Sequence, residues 1–435
     1  MSNRKLPIYF FYMLFLATII SINQGSSTIS SISYVLILLM AVICREEIDV
    51  MLLFCLFPIQ RVFMISRGFM TVIPPIIVLI VIKYFLHRRV FKRCQNQLTA
   101  AIVLLFYSLA VEFIRFSTIK NTVEYILTLA LMIVICEFVD RDLRKSCFIV
   151  YCISSFLSAL VGYLFPTVGK YAALFTMEYN ARFQGLLTDP GTFGQTMVCA
   201  IAMIITIFVM NKREERTKLE KNTFQALGTF VLCIFFLYFI ILSGTRACLI
   251  AIGVIYAIVL AGLFRTKRKS TQMIALLVGV ISILTLSSMG ARLLNAIMEA
   301  HGGEALAEDN RYSIWSGYIE SLWNHPDVML FGVGMNSCSV YGEVMELGNP
   351  HNVIIEKVTE CGLIGVILNF FIFYPLVKRK RMSFMTPETL PFYTWLSTLM
   401  VYGSSGSDMP YLLLALIIEK REVEKNENYT NFSDG

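Results

Sequence analysis

Asn349-Pro350-His351-Asn352-Val353-Ile354-Ile355-Glu356-Lys357-Val358-Thr359-Glu360-Cys361-Gly362-Leu363-Ile364-Gly365 closes the longest polar segment of an otherwise oily chain and leads straight into an apolar run ending near residue 376. A histidine with ionisable neighbours therefore sits at a water–membrane boundary, where a group that titrates near neutral pH is chemically useful. The rest of the composition agrees with a membrane setting. With 57% of its 435 residues apolar and only 15% charged, the chain has too little polar surface for a soluble domain.

A bilayer core takes about 20 apolar residues per helix. Apolar runs fall at 6–22, 30–44, 50–65, 69–86, 98–115, 121–138, 146–165, 191–210, 223–243, 246–264, 271–289, 351–376, 389–402 and 409–419. The expectation is a single all-α polytopic membrane domain over residues 1–435, with about 12–14 transmembrane helices by this reading. The net charge of +7 is distributed in short basic clusters between the runs, which is how topology is written. Nucleic acid is not expected as a partner. Alternating sides from a cytoplasmic N-terminus gathers Arg4, Lys5, Arg45, the 88–93 cluster, the 141–145 cluster, the 212–221 cluster, the 265–269 cluster, Lys378 to Arg381 and the 420–425 cluster on one side. Both termini are then cytoplasmic and the long loops 166–190 and 290–350 lie outside. The eleven cysteines, with no Cys-x-x-Cys pair, read as small hydrophobes.

The few basic residues on the outer side carry more information. Ser243-Gly244-Thr245-Arg246 is a small-residue turn with almost no loop, so Arg246 should lie at the membrane rim. Arg115 and Lys120 have Glu112 and Glu124 at helical spacing and read as structural ion pairs. In Arg182-Phe183-Gln184-Gly185-Leu186-Leu187-Thr188-Asp189-Pro190, Asp189 predicts a helix N-cap and Pro190 the first helical residue. That helix end, with Arg182 upstream, is either an anion site or a capped helix beside a solvated arginine. In the second loop, Ile314, Trp315, Tyr318, Ile319, Leu322 and Trp323 form the stripe of an amphipathic interfacial helix, capped by Asp309 or Asn310, stopped by Pro326 and carrying Arg311 in its first turn. Phe331-Gly332-Val333-Gly334-Met335-Asn336 reads as a flexible turn, and a lone glycine pair is weak evidence of phosphate binding.

The order Arg182-x-x-Gly185-x-x-x-Asp189-Pro190, Ser243-Gly244-Thr245-Arg246, Arg311-x-x-x-Trp315, His325-Pro326, Gly332-x-Gly334, His351-Asn352 and Glu360-x-Gly362 resembles the O-antigen ligase and O-antigen polymerase superfamily of bacterial envelope glycan assembly. The resemblance runs from about 180 to 376, with Gly191 in place of the Asn often found after Asp-Pro. It implies glycan transfer from an undecaprenyl-pyrophosphate carrier to an acceptor hydroxyl at the outer face of the cytoplasmic membrane. Arg182, Arg246 and Arg311 would hold the leaving pyrophosphate, with Asp189 at the substrate. His351 would serve as base, and Asn352 or Glu360 would orient it or the sugar. With no Asp-x-Asp pair or His/carboxylate cluster outside, no metal or other cofactor is expected. Further expected partners are membrane lipid and a chain-length regulator. The acceptor decides between polymerase and ligase, with polymerase favoured by the medium outer loop. A flippase or permease is the rival class, disfavoured by the scarcity of ionisable residues at mid-span and of internal repeats.

Overall fold

The computed structural model describes residues 2–65, 71–87, 94–115, 119–172, 182–214, 219–264, 311–378, 389–402 and 409–417. Among them the chain forms only helices: α1 Ser2–Asn23, α2 Thr28–Ile43, α3 Glu46–Leu56, α4 Ile73–His87, α5 Gln95–Arg115, α6 Ile119–Phe138, α7 Arg141–Leu164, α8 Pro166–Ala172, α9 Pro190–Glu214, α10 Leu219–Ser243, α11 Arg246–Phe264, α12 Arg311–Asn324, α13 Pro326–Phe331, α14 Cys338–Val344, α15 Val353–Lys378, α16 Leu390–Tyr402 and α17 Met409–Ile417, with one 3-10 turn at Gln60–Val62. Among the described residues six helices are long and apolar enough to cross a membrane, within α1, α5, α6, α7, α9 and α10. Shorter apolar helices lie at Thr28–Ile43, Ile73–His87 and Ile250–Val259. The molecule is an all-α, multi-pass membrane protein. The run 271–289, the caps Asp309 and Asn310, and the basic clusters at 88–93, 265–269 and 420–425 lie outside the described residues.

The third run does not form one long helix. α3 stops at Leu56, two residues before Pro58, because the proline has no amide with which to continue the helical ladder. The freed backbone beyond it finds a partner in α2, where the Ser30 hydroxyl donates to the Val62 carbonyl at 2.7 Å and accepts the Met64 amide at 3.0 Å. In an apolar surround such groups must be satisfied internally. The end of α2 is closed similarly. Lys83 Nζ donates to the Cys44 carbonyl at 2.7 Å, to the Ala41 carbonyl and to the buried Asp49 carboxylate at 2.6 Å.

Small residues on α7 let the bundle close around α9. Ser154, Ser155 and Ser158 are fully buried. Gly162 backs onto Gly185 so tightly that an added Cβ would fall 2.7 Å from the Gly185 Cα. Such small-residue faces bring helices together where lipid supplies no hydrophobic drive. α9 also packs on α10, α11 and α16, and α16 lies against α11 as well. The eleven cysteines are free, all buried except the half-buried Cys44 and Cys233, as small apolar residues would be.

Two loop readings need correction. Arg115 pairs with Asp327 at 2.6 Å, not with Glu112, whose carboxylate accepts the Thr122 hydroxyl. Lys120 does pair with Glu124, at 3.7 Å and in the open. The stripe of α12 divides between two faces. Tyr318 and Leu322 are buried against a small cluster with Val328, Cys338 and Tyr341, while Ile319 and Trp323 stay exposed.

The Arg115–Asp327 pair ties the end of α5 to α13. The guanidinium holds the Asp327 carboxyl below the usual aspartate range. A carboxyl whose folded-state pKa is depressed contributes stability above its unfolded pKa and loses it as pH falls through the folded value. Because both side chains keep contact with solvent, the contribution is expected to stay under about 1 kcal/mol. Thermal melts of wild type and Asp327→Asn should therefore differ slightly at neutral pH and converge below about pH 3.9. A gap that persists there would show that the carboxylate charge is not what ties α13.

Candidate active site

The turn between α10 and α11 is built to hold Arg182. Gly244 adopts φ 61°, a left-handed conformation natural only to glycine, and an added Cβ there would press on Arg182 Nε at 3.3 Å. Arg182 Nε donates to the Ser243 carbonyl at 2.8 Å and its Nη2 to Thr245 Oγ1 at 3.3 Å. The next residue docks as well, Phe183 N–H to the Leu242 carbonyl at 3.1 Å. Thr245 Oγ1 in turn donates to the Pro190 carbonyl at 2.9 Å, which places the first residues of α9 and α11 side by side. A guanidinium has five N–H donors, and the contacts made by this exposed residue use only two of them.

Asp189 caps α9 as its position predicts. Its Oδ1 accepts the Thr192 amide at 2.9 Å, and its Oδ2 accepts the hydroxyls of Thr192 at 2.6 Å and Thr188 at 3.1 Å. The two bonds from Thr192 hold this carboxylate to its own helix. Arg182, Asp189 and the backbone of Arg246 thus form one cluster at two adjacent helix N-termini, where unpaired amides and aligned dipoles favour an anion. The Arg246 side chain lies outside the described residues.

The second cluster surrounds His351, which is held from both sides. On one side Trp315 Nε1 donates to the Pro350 carbonyl at 2.6 Å. On the other, Asn352 caps α15, its Oδ1 accepting the amides of Ile354 at 3.0 Å and Ile355 at 3.3 Å, while its Nδ2 donates to the Met400 carbonyl of α16 at 3.3 Å. His351 takes φ 47°, uncommon for a residue with a Cβ, and its amide donates to Asn349 Oδ1 at 3.1 Å. Its ring is partly accessible. Arg311 opens α12 one turn before Trp315, so by register it belongs to this end of the structure, though its side chain lies outside the described residues. Replacing Asn352 with alanine removes the cap and the tie to α16. About 1 kcal/mol of stability should go with the cap, read as a lower melting temperature of the purified protein, while Asn352→Asp should keep most of it. An unchanged melt for Asn352→Ala would remove the capping role.

Glu360 belongs to neither cluster. It sits deeper in α15, 5% exposed, its carboxylate taken by Lys357 at 2.7 Å, and Lys357 Nζ also lies 5.1 Å from the centre of the Tyr125 ring. Next to it α15 is broken, with Gly362 at φ 64°. The glycine pair of the second loop locks into this break. Val333 and Gly334 donate their amides to the carbonyls of Thr359 and Glu360, both at 2.9 Å. The segment is consequently a fixed turn instead of a flexible one, and these two amides are already used, so no phosphate can take them. Among the described residues no three His, Cys, Asp or Glu side chains are grouped so as to hold a metal ion.

Residues 231–370 match the family model described as O-antigen ligase. This stretch is therefore similar to the O-antigen polymerase and ligase superfamily, whose members are glycosyltransferase-like enzymes. No curated protein and no solved structure matches the chain. The matched stretch takes in Arg246, Arg311, His351, Asn352 and Glu360. Arg182 and Asp189 precede it and are bound to its first turn through Ser243 and Thr245. Sequence reading passes over Met400 and takes Trp315 only as part of a helix stripe and motif, although these two and Thr245 do the positioning. Thr245 is quoted within a recognised turn, but nothing in its spacing reveals that its hydroxyl bridges to Pro190.

Proposed function

We propose that the chain polymerises surface polysaccharide, whether O-antigen, capsule or exopolysaccharide, by metal-independent transfer of glycan from an undecaprenyl-pyrophosphate carrier. The reaction would run at the outer face of the bacterial cytoplasmic membrane, with both chain termini cytoplasmic. The observation that carries this reading is the exposed Arg182 guanidinium, pinned where α9 and α11 begin and joined to the stretch that matches the O-antigen ligase family model. A lipid pyrophosphate leaves well once its growing charge is held, and planar, permanently charged guanidiniums suit its oxygens. Arg182, Arg246 and Arg311 take that role, assisted by the two helix N-termini beside Asp189.

The acceptor hydroxyl attacks the anomeric carbon as His351 takes its proton, which inverts that centre. Asn352 fixes the turn that carries His351, and Glu360 with Lys357 steadies α15 beneath it. Convergence of the two clusters is supported by α16, which packs on both α9 and α11 and accepts Asn352 at Met400. A chain-length regulator fits the reading as a partner.

A second reading, transfer of a finished chain to a lipid or other acceptor, is favoured by the description of the matched family as ligases. Glycan analysis of a deletion strain separates them. A lost polymerase leaves single repeat units on the final acceptor, whereas a lost ligase leaves full-length polymer on the carrier. Normal polymer on the normal acceptor would sink both. A permease would show instead as failed export of lipid-linked intermediates.

A further inference from the structure

The segment from Pro326 to Gly334 runs down the side of α5 and not over its end. Asp327 pairs with Arg115, the last residue of α5, at 2.6 Å, and four residues later the Phe331 carbonyl accepts the Tyr107 hydroxyl at 2.9 Å. Eight residues separate those two points on α5, so they lie about 12 Å apart along its axis at a helical rise of about 1.5 Å. α5 is 21 residues long and one of the candidate membrane spans, a length of about 30 Å that matches the hydrocarbon core. With Arg115 at one boundary of that core, Tyr107 lies about 12 Å inside it and Phe331, four helical residues past Asp327, up to about 6 Å inside.

The backbone at this depth is accounted for. The same Tyr107 hydroxyl also reaches the Cys361 carbonyl at 2.9 Å, and the turn that follows gives its amides to Thr359 and Glu360 at the break in α15. Irregular backbone at membrane depth is tolerated only where protein or a water-filled cavity satisfies it. The loop's amides and the carbonyls freed at the α15 break pair with one another. The outward side of the segment is apolar, with Leu330 41% and Phe331 46% exposed. α5 beside it exposes Phe106, Phe113 and Ile114, the outer surface of a span.

We propose that residues 326–334 form a re-entrant element that enters the bilayer along α5, turns at Gly332–Gly334 on the α15 break, and rests Leu330 and Phe331 on lipid acyl chains. Lipid is the occupant because this face continues the exposed side of a membrane span, with the Arg115–Asp327 pair marking the polar boundary above it. Nothing in the inference depends on the chemistry assigned to the arginines or His351.

The test uses the purified full chain in leaky liposomes, so that both faces meet the reagent and no other protein is present. Phe331→Cys and Leu330→Cys are labelled with a membrane-impermeant maleimide, beside Glu343→Cys on exposed α14, Phe106→Cys on α5, and the unmodified chain, whose native thiols are buried or half-buried. Thiols in hydrocarbon are protonated and unreached, so the two variants should react at least about tenfold more slowly than Glu343→Cys and about as slowly as Phe106→Cys. A bimane placed at 331 should also be quenched by nitroxide on lipid acyl chains. Labelling as fast as Glu343→Cys at both positions overturns the proposal. So does slow labelling without quenching, because a protein surface would then be the cover.

Discussion

Glycan transfer by Arg182→Ala is expected to fall by about two to three orders of magnitude, the usual loss when a preorganised donor to developing negative charge is removed. The loss should appear in turnover more than in substrate affinity, because the pyrophosphate gains charge only as the glycosyl bond breaks. Arg182→Lys should recover little. Lysine keeps the charge but not the rigid fork, and it cannot hold the Ser243 carbonyl and Thr245 hydroxyl while presenting further donors to a phosphate. Since Arg182 also ties the first loop to the α10–α11 turn, part of any effect could be structural. The Thr245→Ala variant controls for this, since it removes the hydroxyl contacts to Arg182 and Pro190 but leaves the guanidinium in place. If transfer by Arg182→Ala in vitro, with purified lipid-linked donor, matches wild type, the anion site is elsewhere and the reading of this cluster fails. If Thr245→Ala loses as much activity as Arg182→Ala, the cluster matters as scaffold and not as a charge.

Some of this architecture is legible in the sequence, and the reason is locality. Asp189 caps α9, Pro326 ends α12, and the turn at Gly244 joins two helices, because each depends on the residue itself and on neighbours within one helical turn. The apolar runs are legible for the same reason, since crossing a bilayer is a property of consecutive residues. What stays hidden is partnership across the chain. Arg115 has Glu112 at helical spacing, yet it takes Asp327, more than two hundred positions away. Gly332 and Gly334 read as a flexible turn, yet they serve a break in another helix. Gly362 sits inside an apolar run that reads as one continuous helix, and only the opposing carbonyls of Leu330 and Phe331 explain why it departs from helical geometry. The candidate site was legible to the level of which residues carry charge, but not how they are held.

Gly362→Ala is the substitution expected to damage the fold most. An alanine there would have to hold φ 64° with ψ 176°, a region open essentially only to glycine, at a cost of about 1–3 kcal/mol. Its Cβ would also sit 2.3 Å from the Leu330 carbonyl oxygen and 2.6 Å from the Phe331 carbonyl carbon. Both are backbone atoms, that of Phe331 in a carbonyl anchored by Tyr107, and cannot swing aside as a side chain would. Overpacking of this kind adds about 1–3 kcal/mol, for a total near 3 kcal/mol or more. Gly332→Ala meets the reciprocal obstacle, with φ 81° and its Cβ 2.3 Å from the Glu360 carbonyl oxygen. Because each substitution forces the same junction apart, the double variant should lose little more than either single one, a clear departure from additivity. Gly228→Ala and Gly253→Ala, at helical positions with nothing within 4 Å of an added Cβ, should be neutral or slightly stabilising. Thermal and SDS-induced unfolding of the purified variants would show the ranking. A Gly362→Ala protein as stable as Gly253→Ala would mean that α15 can close its break and that the second loop does not depend on it. Additive losses in the double variant would mean that the two glycines serve separate turns.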